Sequence, residues 1–422
     1  MKPITAILLG AGGRGRFAYG AYASRYPEQL KIVAIAEPDE ERRSIAAHEH
    51  GLDLGQLFES WEDVFNSGKI ADVVIVATQD RMHFEPVMKA MKLGYDVLLE
   101  KPMSPEAEEV IAMANAAEFY QRKLIVSHVL RYTPFWSKVK QLIAGEQIGD
   151  IVTLQLSENV GYYHMAHSFV RGNWNKSEIT SPMILQKSCH DMDIISWLMD
   201  KKCTKINSYG SLSHFKSQNA PVGSTARCTD GCAVERECPY SAKKIYGEDK
   251  TGEWAKFITG IITPESVQQA LEQGPFGRCV YQCDNDVVDH QVVNMEFENY
   301  ATASFTMSGF THDISRVIQI MGTHGEIRGY MEKNELVLYR FGKEPETIVI
   351  PHIEGGHSGG DTRLMDEFVR NIREERVQKT AGLTSAVASV QSHLMAIAAE
   401  RSRLIGGNTV ELSKWQVEGG IT

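Results

Sequence analysis

The glycine-rich turn near the N-terminus constrains the fold of this chain more than any other feature. Residues 10–15 match the pattern G-x-G-x-x-G, directly after the apolar run Thr5–Leu9 and before a stretch rich in alanine. In this setting the first glycine permits a tight turn, the second lets the backbone approach a pyrophosphate, and the third allows a helix to pack closely on a strand. We therefore predict a dinucleotide site rather than an ordinary glycine-rich turn. The residues predicted to contact the cofactor here are Gly10, Gly12, Gly13, Arg14 and Gly15.

The first 125 residues alternate short apolar runs with helix-like stretches, which is the pattern of a parallel βαβ sheet. The predicted strands are Thr5–Leu9, Lys31–Ala36, Ala71–Ala77, Asp96–Leu99 and Leu124–Val126. A helix is predicted over Phe84–Leu93, stopped by Gly94, and another is predicted to open at Ser104, an N-cap followed by proline. Because βαβ connections are right-handed, the strands should form a doubly wound sheet.

Glu37 ends the second predicted strand 22 residues after Gly15, close to the spacing of the acid that accepts hydrogen bonds from the ribose of a dinucleotide. A carboxylate at this place repels a 2′-phosphate, so the cofactor is predicted to be NAD rather than NADP. Arg42 and Arg43 follow shortly and could soften this preference, although we interpret them as the solvated face of the next helix.

After about residue 150 the pattern changes to alternating apolar and polar side chains, which is typical of an antiparallel sheet with one covered face. The predicted strands are Ile151–Asn159, Gln291–Phe297, Ala301–Met307, Arg316–Gly322 and Glu335–Arg340, and a packed helix is predicted over Ser385–Arg403. The predicted fold is therefore α/β. A Rossmann doubly wound parallel sheet occupies residues 1–127, and an α/β domain with a large, mostly antiparallel sheet occupies residues 128–422. Residues 213–285, which hold five of the seven cysteines, are predicted to be an insertion.

Composition and charge exclude several classes of protein. The formal net charge of −10 disfavours binding to nucleic acid or to an anionic membrane surface, and no apolar run approaches the roughly 20 residues that span a bilayer. The first ten residues lack the features of a secretory signal peptide. Seven cysteines, an odd number, indicate free thiols in a reducing cytoplasm rather than a disulfide framework.

The sequence Glu100-Lys101-Pro102 directly follows the fourth predicted strand. Ligands of open α/β sheets bind at the carboxyl ends of the strands, so Lys101 is predicted to lie near the nicotinamide. Held there, the lysine would have a lowered pKa and could orient a substrate hydroxyl or exchange a proton with it. Taken alone, a Lys-Pro pair in a loop is more often structural.

With this motif the chain resembles a known family, the glucose–fructose oxidoreductase / inositol dehydrogenase / MocA (Gfo/Idh/MocA) oxidoreductases. The matching motifs extend over nearly the whole chain. Besides those above, they are Ala77-Thr78-Gln79-Asp80 with His83, Arg131-Tyr132, Gly145 with Gly149, His190-Asp191-Met192-Asp193 and Gly322-Thr323-His324-Gly325-Glu326. The resemblance supports the two-domain fold and adds Thr78, His83, Glu100 and Lys101 to the expected cofactor contacts.

The resemblance also implies a catalytic pair, Lys101 and His190, on either side of the reacting carbinol. His190 is then the general base, because an unperturbed histidine titrates near working pH. Without the family pattern, a histidine satisfied at the start of the helix 190–198 is the simpler interpretation. Many relatives carry aspartate where this chain has Gln186, which cannot accept a proton. The neighbouring Lys187 is a candidate to replace that contact in catalysis or substrate binding, with an ion-paired lysine as the alternative.

Residues 162–174 are rich in aromatic rings and hydrogen-bonding groups, which suit the C–H faces and hydroxyls of a sugar. Arg171 with Lys187 could also bind an acidic group on the substrate. A polar loop packed on the sheet is the alternative for any one of these residues. The predicted substrate contacts are Arg131, Tyr132, His164, His167, Arg171, Trp174, Lys187 and His357, with Asp313 and Asp361 as further candidates.

The cysteines of the insertion form two C-x3-C pairs, Cys228 with Cys232 and Cys279 with Cys283, and Cys238 lies between them. Each pair is compatible with half of a structural zinc site. Buried free cysteines that behave as small apolar groups are an equally good explanation. We expect no catalytic metal.

These features predict an NAD-dependent oxidoreductase that acts on a secondary hydroxyl or keto group of a small sugar, sugar acid or inositol. A redox-neutral NAD-dependent glycosidase or lyase, which passes through a transient 3-keto sugar, is the alternative, and an NAD(H)-binding regulator is a further one. Relatives often pair through the exposed face of the second sheet, so we expect a homo-oligomer.

Overall fold

Two β-sheets organise the chain, whose computed structural model describes residues 2–248, 254–353, 355–374 and 384–413. Side chains of the first strand alternate between two separate core clusters: Ile7 and Leu9 enter one, and Ala6 and Leu8 enter the other. This alternation places apolar layers on both faces of the first sheet, as a parallel sheet requires. Among the described residues, no helix is both long and apolar enough to cross a membrane.

The first sheet has six parallel strands in the order β3-β2-β1-β4-β5-β6. They are β1 (Ile4–Leu9), β2 (Leu30–Ala36), β3 (Leu57–Phe58), β4 (Val73–Val76), β5 (Asp96–Leu99) and β6 (Leu124–Val126). The chain builds outward from β1 to β3, returns to β4 beside β1, and then builds outward on the other side. The predicted doubly wound sheet is therefore confirmed, and its ligand crevice lies where the order reverses, at the carboxyl ends of β1 and β4.

Six helices come first along the chain: the first five lie between strands of this sheet, and α6 follows its last strand and packs against the later helix Cys189–Met199. They are α1 (Ala21–Arg25), α2 (Glu40–His50), α3 (Trp61–Asn66), α4 (Phe84–Lys92), α5 (Ala107–Phe119) and α6 (Pro134–Ala144). A π-helical turn over Gly15–Gly20 precedes α1. The helix that was predicted to open at Ser104 has its N-cap two residues later, at Glu106: the Ser104 hydroxyl accepts the Glu106 N–H and donates to Glu109, which forms a turn ahead of α5.

The second sheet has nine strands in the order β14-β13-β12-β11-β7-β10-β9-β8-β15. They are β7 (Ile151–Asn159), β8 (Cys203–Ser211), β9 (His290–Phe297), β10 (Thr302–Ser308), β11 (Ser315–Gly322), β12 (Gly325–Tyr330), β13 (Glu335–Arg340), β14 (Glu346–Val349) and β15 (Val410–Glu411). Only β7 and β10 pair in parallel; the other neighbours are antiparallel. The predicted large, mostly antiparallel sheet is confirmed.

Six further helices belong to the second half of the chain, and the last two of them contact elements of the first half. They are α7 (Tyr162–His164), α8 (Met183–Gln186), α9 (Cys189–Met199), α10 (Pro264–Gln273), α11 (Gly360–Arg373) and α12 (Ala386–Leu404). Although α11 follows the second sheet in sequence, its Met365, Phe368 and Val369 are buried in the core of the first sheet. Helix α12 packs against α5, α9 and β8. These helices bring residues from the end of the chain to the crevice of the first sheet.

The cysteine-rich segment occupies the connection between β8 and β9, which are neighbours in the sheet. Of the predicted insertion, residues 249–253 lie outside the described residues. The insertion covers the segment Met165–Arg171: the ring of His167 stacks on Phe276 at 4.8 Å and its Nδ1 lies 2.8 Å from the Tyr246 hydroxyl. The insertion is therefore packed against the segment that was predicted to face the substrate.

Candidate active site

The glycine turn leaves an open surface at its middle and close contacts at its ends. Gly10 has φ +89°, and a Cβ there would lie 2.6 Å from the Ala77 carbonyl oxygen; a Cβ on Gly15 would lie 2.0 Å from the Gly10 oxygen. A Cβ on Gly12 or Gly13 would meet nothing within 4 Å. The outer glycines are therefore required by packing, whereas the two middle ones present free backbone, which fits the approach of a pyrophosphate.

Glu37 lies at the end of β2 directly against this turn. Its carboxylate is buried and accepts the Ala11 N–H at 2.7 Å and the Asp39 N–H at 3.1 Å. The Arg43 guanidinium donates to the Glu37 carbonyl oxygen. Glu37 therefore braces the glycine turn and holds a negative charge beside it.

Arg14 connects the glycine turn to two acidic side chains. Its Nε lies 2.5 Å from Glu100 Oε1, and its Nη2 lies 2.9 Å from Asp361 Oδ1 on α11. The Tyr19 hydroxyl also contacts Glu100. Burial alone would raise the pKa of Glu100, but Arg14 and Lys101 together lower it below its usual value. Arg14 therefore joins the loop after β5, through Glu100, to α11, through Asp361.

Thr78 and His83 lie at the carboxyl end of β4. The buried His83 ring has Nδ1 2.8 Å from the Pro102 carbonyl oxygen and Nε2 3.1 Å from the Thr78 carbonyl oxygen. Both ring nitrogens face backbone carbonyl oxygens, so His83 lies between the loops after β4 and β5, and its contact with the cofactor stays a prediction.

Lys101 reaches from the loop after β5 to the second half of the chain. Its Nζ donates to the Gln186 carbonyl oxygen at 2.7 Å. Burial lowers the pKa of Lys101, and the nearby Glu100 carboxylate opposes this shift only in part. Burial therefore makes Lys101 a stronger acid than an exposed lysine. This effect does not require the positive charge of the nicotinamide, from which the lowered pKa was predicted.

His190 lies in the first turn of α9, close to Lys101. Its ring centroid is 6.0 Å from that of His357 and 6.2 Å from that of His128, and its Nδ1 is buried without a hydrogen-bond partner. Burial lowers the pKa of His190 well below 6.5, and the Lys101 charge lowers it further. His190 is thus a neutral imidazole with an unused nitrogen. This disfavours the alternative of a histidine satisfied at the helix start.

Lys187 forms an ion pair, which is the alternative that the sequence left open. Its Nζ lies 3.0 Å from Glu158 Oε1, and the same carboxylate meets Arg316 at 2.7 Å. Arg316 also pairs with Asp191, one residue after His190. Burial raises the pKa of Asp191, although Arg316 opposes the shift. This network holds the start of α9 against β7 and β11.

Gln186 replaces the usual aspartate and makes a structural contact instead. Its Nε2 donates to the Trp174 carbonyl oxygen at 3.0 Å, and its backbone oxygen receives Lys101. The side chain therefore fixes the Trp174 loop, and the backbone fixes the Lys101 ammonium group. No proton relay passes through this position, because an amide cannot accept the proton.

Four of the predicted substrate residues interact with Lys101 or His190, or with residues that contact them. His164 and Lys187 interact electrostatically, and both also interact with Lys101. The His357 ring, near His190, is partly exposed and has its Nδ1 3.1 Å from Asp361. Trp174 is also partly exposed, on the loop that Gln186 holds. Of the four, His357 lies beside His190, and Gln186 links the Trp174 loop to Lys101.

Four other predicted substrate residues point elsewhere. Arg171 is 1% exposed and donates to the carbonyl oxygens of Tyr240 and Arg278 in the insertion, which corrects its predicted contact with a substrate acid. The predicted substrate contact of His167 is corrected as well, because its ring packs on Phe276 and lies against the Tyr246 hydroxyl. The other two residues, Arg131 and Tyr132, contact Asp193 and Thr384 respectively.

Arg131 and Asp193 form a buried two-point ion pair, with Nε···Oδ2 at 2.7 Å and Nη2···Oδ1 at 2.6 Å. The predicted substrate contact of Arg131 is thereby corrected. We expect Arg131→Met to lower the free energy of unfolding by about 3–5 kcal/mol, because it leaves a carboxylate buried without its partner. Chemical denaturation followed by circular dichroism measures this loss. The exposed Arg42→Met is the matched control, and an equal stability of both variants would contradict the prediction.

A second cluster of buried groups, which sequence reasoning missed, lies beneath His190. His128, Cys189 and His393 are the described residues whose ligating atoms all lie within 4.8 Å of one another. The Met103 N–H donates to His393 Nε2 at 2.9 Å, and His393 Nδ1 lies 2.7 Å from the Ser389 oxygen. Because the Nε2 lone pair is already used, the cluster fits a hydrogen-bonded packing unit better than a metal site. Its members come from three distant segments, and no local motif links them.

Comparison with known proteins agrees with this geometry. Residues 4–128 match an oxidoreductase family with an NAD-binding Rossmann fold, and residues 140–412 match the C-terminal α/β domain of the same family. YteT of Bacillus subtilis, named as an oxidoreductase, is 24% identical over 375 residues, which is 82% of this chain and 83% of that protein. Inositol 2-dehydrogenase 4 of Saccharopolyspora erythraea is 27% identical over 224 residues, which is 52% of this chain and 60% of that protein.

The solved structure of levoglucosan dehydrogenase with NADH and levoglucosan shares the fold, with a TM-score of 0.71 and 18% identity over 97% of this chain and all of that one. The two family matches together cover both sheets, and the second alone covers more than half of the chain. The chain therefore belongs to the Gfo/Idh/MocA family of NAD-binding oxidoreductases, as its motifs predicted.

Proposed function

We propose that this protein is an NAD-dependent dehydrogenase that moves a hydride between the nicotinamide and a secondary hydroxyl or keto group of a sugar, sugar acid or inositol. The observation that carries the proposal is the pairing of Lys101 with a neutral His190 at the crevice of the first sheet. Relatives named inositol 2-dehydrogenase and a structural neighbour named levoglucosan dehydrogenase support this substrate class.

The residues present fit a dinucleotide. The free backbone at Gly12 and Gly13 would hold its phosphates, and Glu37 would accept ribose hydroxyls. When bound, NAD supplies the carbon that accepts the hydride. His190 takes the hydroxyl proton of the substrate on its imidazole, and Lys101 orients the oxygen as it becomes a carbonyl. In the reverse direction the same two groups return the proton.

The groups around this pair suit a polyhydroxylated substrate. His164, Lys187 and His357 offer hydrogen bonds from different elements, and Trp174 offers an aromatic face. Because Lys187 is already paired with Glu158, it is better suited to bind a neutral hydroxyl than an isolated substrate anion.

The charge of Glu37 sets the cofactor preference. We expect Glu37→Gln to lower the ratio of kcat/KM for NAD to that for NADP about tenfold, or about 1.4 kcal/mol, because the amide no longer repels a 2′-phosphate. The amide oxygen still accepts the Ala11 N–H, whereas the amide NH2 cannot accept the Asp39 N–H that the other carboxylate oxygen accepts in the wild type. Initial rates with both cofactors measure the ratio, and Glu40→Gln on the exposed start of α2 is the control. An unchanged ratio would show that Glu37 acts only as a brace.

A screen with purified protein tests the proposed reaction. The protein is incubated with NAD and a panel of sugars, sugar acids, inositols and aryl glycosides, while reduced nicotinamide and released aglycone are followed together. Steady NADH formation supports the dehydrogenase. Aglycone release without net NADH supports a redox-neutral glycosidase in its place, and NAD binding without any turnover favours a regulator.

We also infer that the chain forms a homo-oligomer through the outer face of the second sheet. Tyr209 on β8 and Val292 on β9 are direct partners in the sheet, and both are exposed. Val317 on β11 is exposed as well. An apolar face of this kind supports a second copy as the partner, and sedimentation velocity measures the assembly state.

A further inference from the structure

His357 and Asp361 form a partly exposed pair beside His190. The Nδ1 atom of His357 lies 3.1 Å from Oδ2 of Asp361, which stands four residues further along the chain at the start of α11. The side chain of His357 is 39% exposed and that of Asp361 is 15% exposed. Because a carboxylate can only accept, Nδ1 carries the hydrogen of this contact, and Nε2 is left as the ring nitrogen that can take up a proton.

The loop that carries His357 is shaped around this contact. A Cβ on Gly356 would lie 2.1 Å from Asp361 Oδ2, so only glycine leaves room for the carboxylate. His357 and Ser358 both have a left-handed backbone conformation, with φ of +48° and +53°. This conformation is unfavourable for most residues with a side chain, and such residues cluster at functional sites. The loop therefore has an unfavourable backbone at the point where it holds the imidazole against the carboxylate.

Asp361 stays ionised in this position. Burial alone would raise its pKa, but the hydrogen bond with His357 and the Arg14 guanidinium, 2.9 Å away, lower the pKa of Asp361 below its usual value. A negative charge at Nδ1 orients the ring and stabilises the imidazolium ion that forms when Nε2 receives a proton. The pair is therefore suited to hold a proton transiently at an exposed position.

His190 needs a neighbour of this kind to release its proton. The residue is 7% exposed, and in the proposed reaction NAD and the substrate lie against it. The four titratable groups that interact most strongly with its imidazole are those of Lys101, His128, His357 and Arg316. Lys101 and Arg316 are cations, and His128 is 0% exposed, so a proton passed to His128 would stay in the core. Of these four groups, His357 combines a basic nitrogen with exposure to solvent.

We propose that His357, held by Asp361, carries to solvent the proton that His190 takes from the substrate hydroxyl. The two ring centroids are 6.0 Å apart, so the imidazoles can exchange a proton directly or through one water molecule. An N–H bond of the His190 imidazolium breaks as an N–H bond forms at His357 Nε2, and His357 then loses a proton to water. In the reverse direction, His357 takes a proton from water and returns it to His190. This proton relay rests on the proposed dehydrogenase reaction and adds a residue to it.

Replacing His357 by asparagine tests the relay in the full chain. Asparagine tolerates the left-handed conformation and can still form a hydrogen bond with a substrate hydroxyl, but it cannot carry the proton. With NAD, a panel substrate that gives NADH and little buffer, we expect His357→Asn to lower kcat about tenfold or more, with little change in KM. Added imidazole should restore kcat, whereas pyrazole, a ring of the same size but a much weaker base, should not. His352→Asn, an exposed histidine on the same connection between β14 and α11, is the matched control and should have wild-type kcat.

The outcomes separate the relay from the reaction on which it rests. A wild-type kcat in His357→Asn, or a loss that imidazole does not restore, would overturn the relay while the dehydrogenase stands. A rise in KM at unchanged kcat would make His357 a substrate contact only. If the wild-type chain forms no NADH with any panel substrate, the proposed reaction fails and the relay fails with it. Circular dichroism checks the fold, and His357→Gln takes the same rescue test if His357→Asn does not fold.

Discussion

Replacing Lys101 by methionine is expected to lower kcat by about 10²- to 10⁴-fold, with little change in the affinity for NAD. Methionine keeps an unbranched side chain of similar length but has no ammonium group. The lysine Nζ is held 2.7 Å from the Gln186 carbonyl oxygen, and burial lowers its pKa. Both effects prepare it to orient or protonate a substrate oxygen, so the loss should appear in turnover and not in cofactor binding.

The measurement for Lys101→Met combines steady-state NADH formation with NAD titration by calorimetry. Lys92→Met, at the exposed end of α4, is the matched control and should have wild-type kcat. A wild-type kcat in Lys101→Met would remove Lys101 from the reaction. A parallel loss of NAD binding would instead assign the lysine to the cofactor.

Replacing His190 by asparagine should lower kcat by a similar factor, about 10²- to 10⁴-fold. The imidazole has a buried Nδ1 without a partner, and asparagine can form hydrogen bonds but cannot accept a proton at neutral pH. His48→Asn on the exposed face of α2 is the control.

The pH dependence of kcat provides a sharper test of the role of His190. Burial, with the Lys101 charge, lowers the pKa of His190 well below 6.5. As pH falls, an ordinary histidine base loses activity near 6.5, whereas His190 should stay neutral and active to lower pH. The kcat of the wild type for alcohol oxidation should therefore stay constant to below pH 6.5 and fall only at lower pH, where His190 becomes protonated. This fall at low pH, the acid limb of the profile, should be absent in His190→Asn. An acid limb that is unchanged in His190→Asn would show that another group accepts the proton.

Several elements were predictable from local pattern alone. The strands Asp96–Leu99, Leu124–Val126 and Ile151–Asn159 have the predicted bounds. The first two are apolar throughout, apart from Asp96 at the start of the first, and the third alternates; each pattern follows directly from which faces of a strand are buried. The two-residue strand Leu57–Phe58 was missed because it is too short to show a period. The strand Gly325–Tyr330 was also missed, since its two glycines weaken the alternation.

Some residues of the candidate site were likewise predictable from local pattern, and others were not. The glycine turn, Glu37 and Lys101 were predictable because each follows the end of a strand, and parallel strands gather their carboxyl ends at one edge. The positions of Arg131 and Arg171 were not predictable, because nothing in the local sequence distinguishes an arginine that contacts a substrate from one that pairs with a buried group. Only the packing of α9 places Asp193 against Arg131, and only the insertion closes over Arg171.

The sequence by itself thus determined the parallel sheet, the cofactor turn and the family, since these depend on residues that are near neighbours along the chain. The tertiary structure decided the pKa of His190, the partner of Lys187 and the place of His357 beside His190. Those properties depend on burial and on charges brought together from segments that are far apart in sequence, and local periodicity carries no information about such contacts.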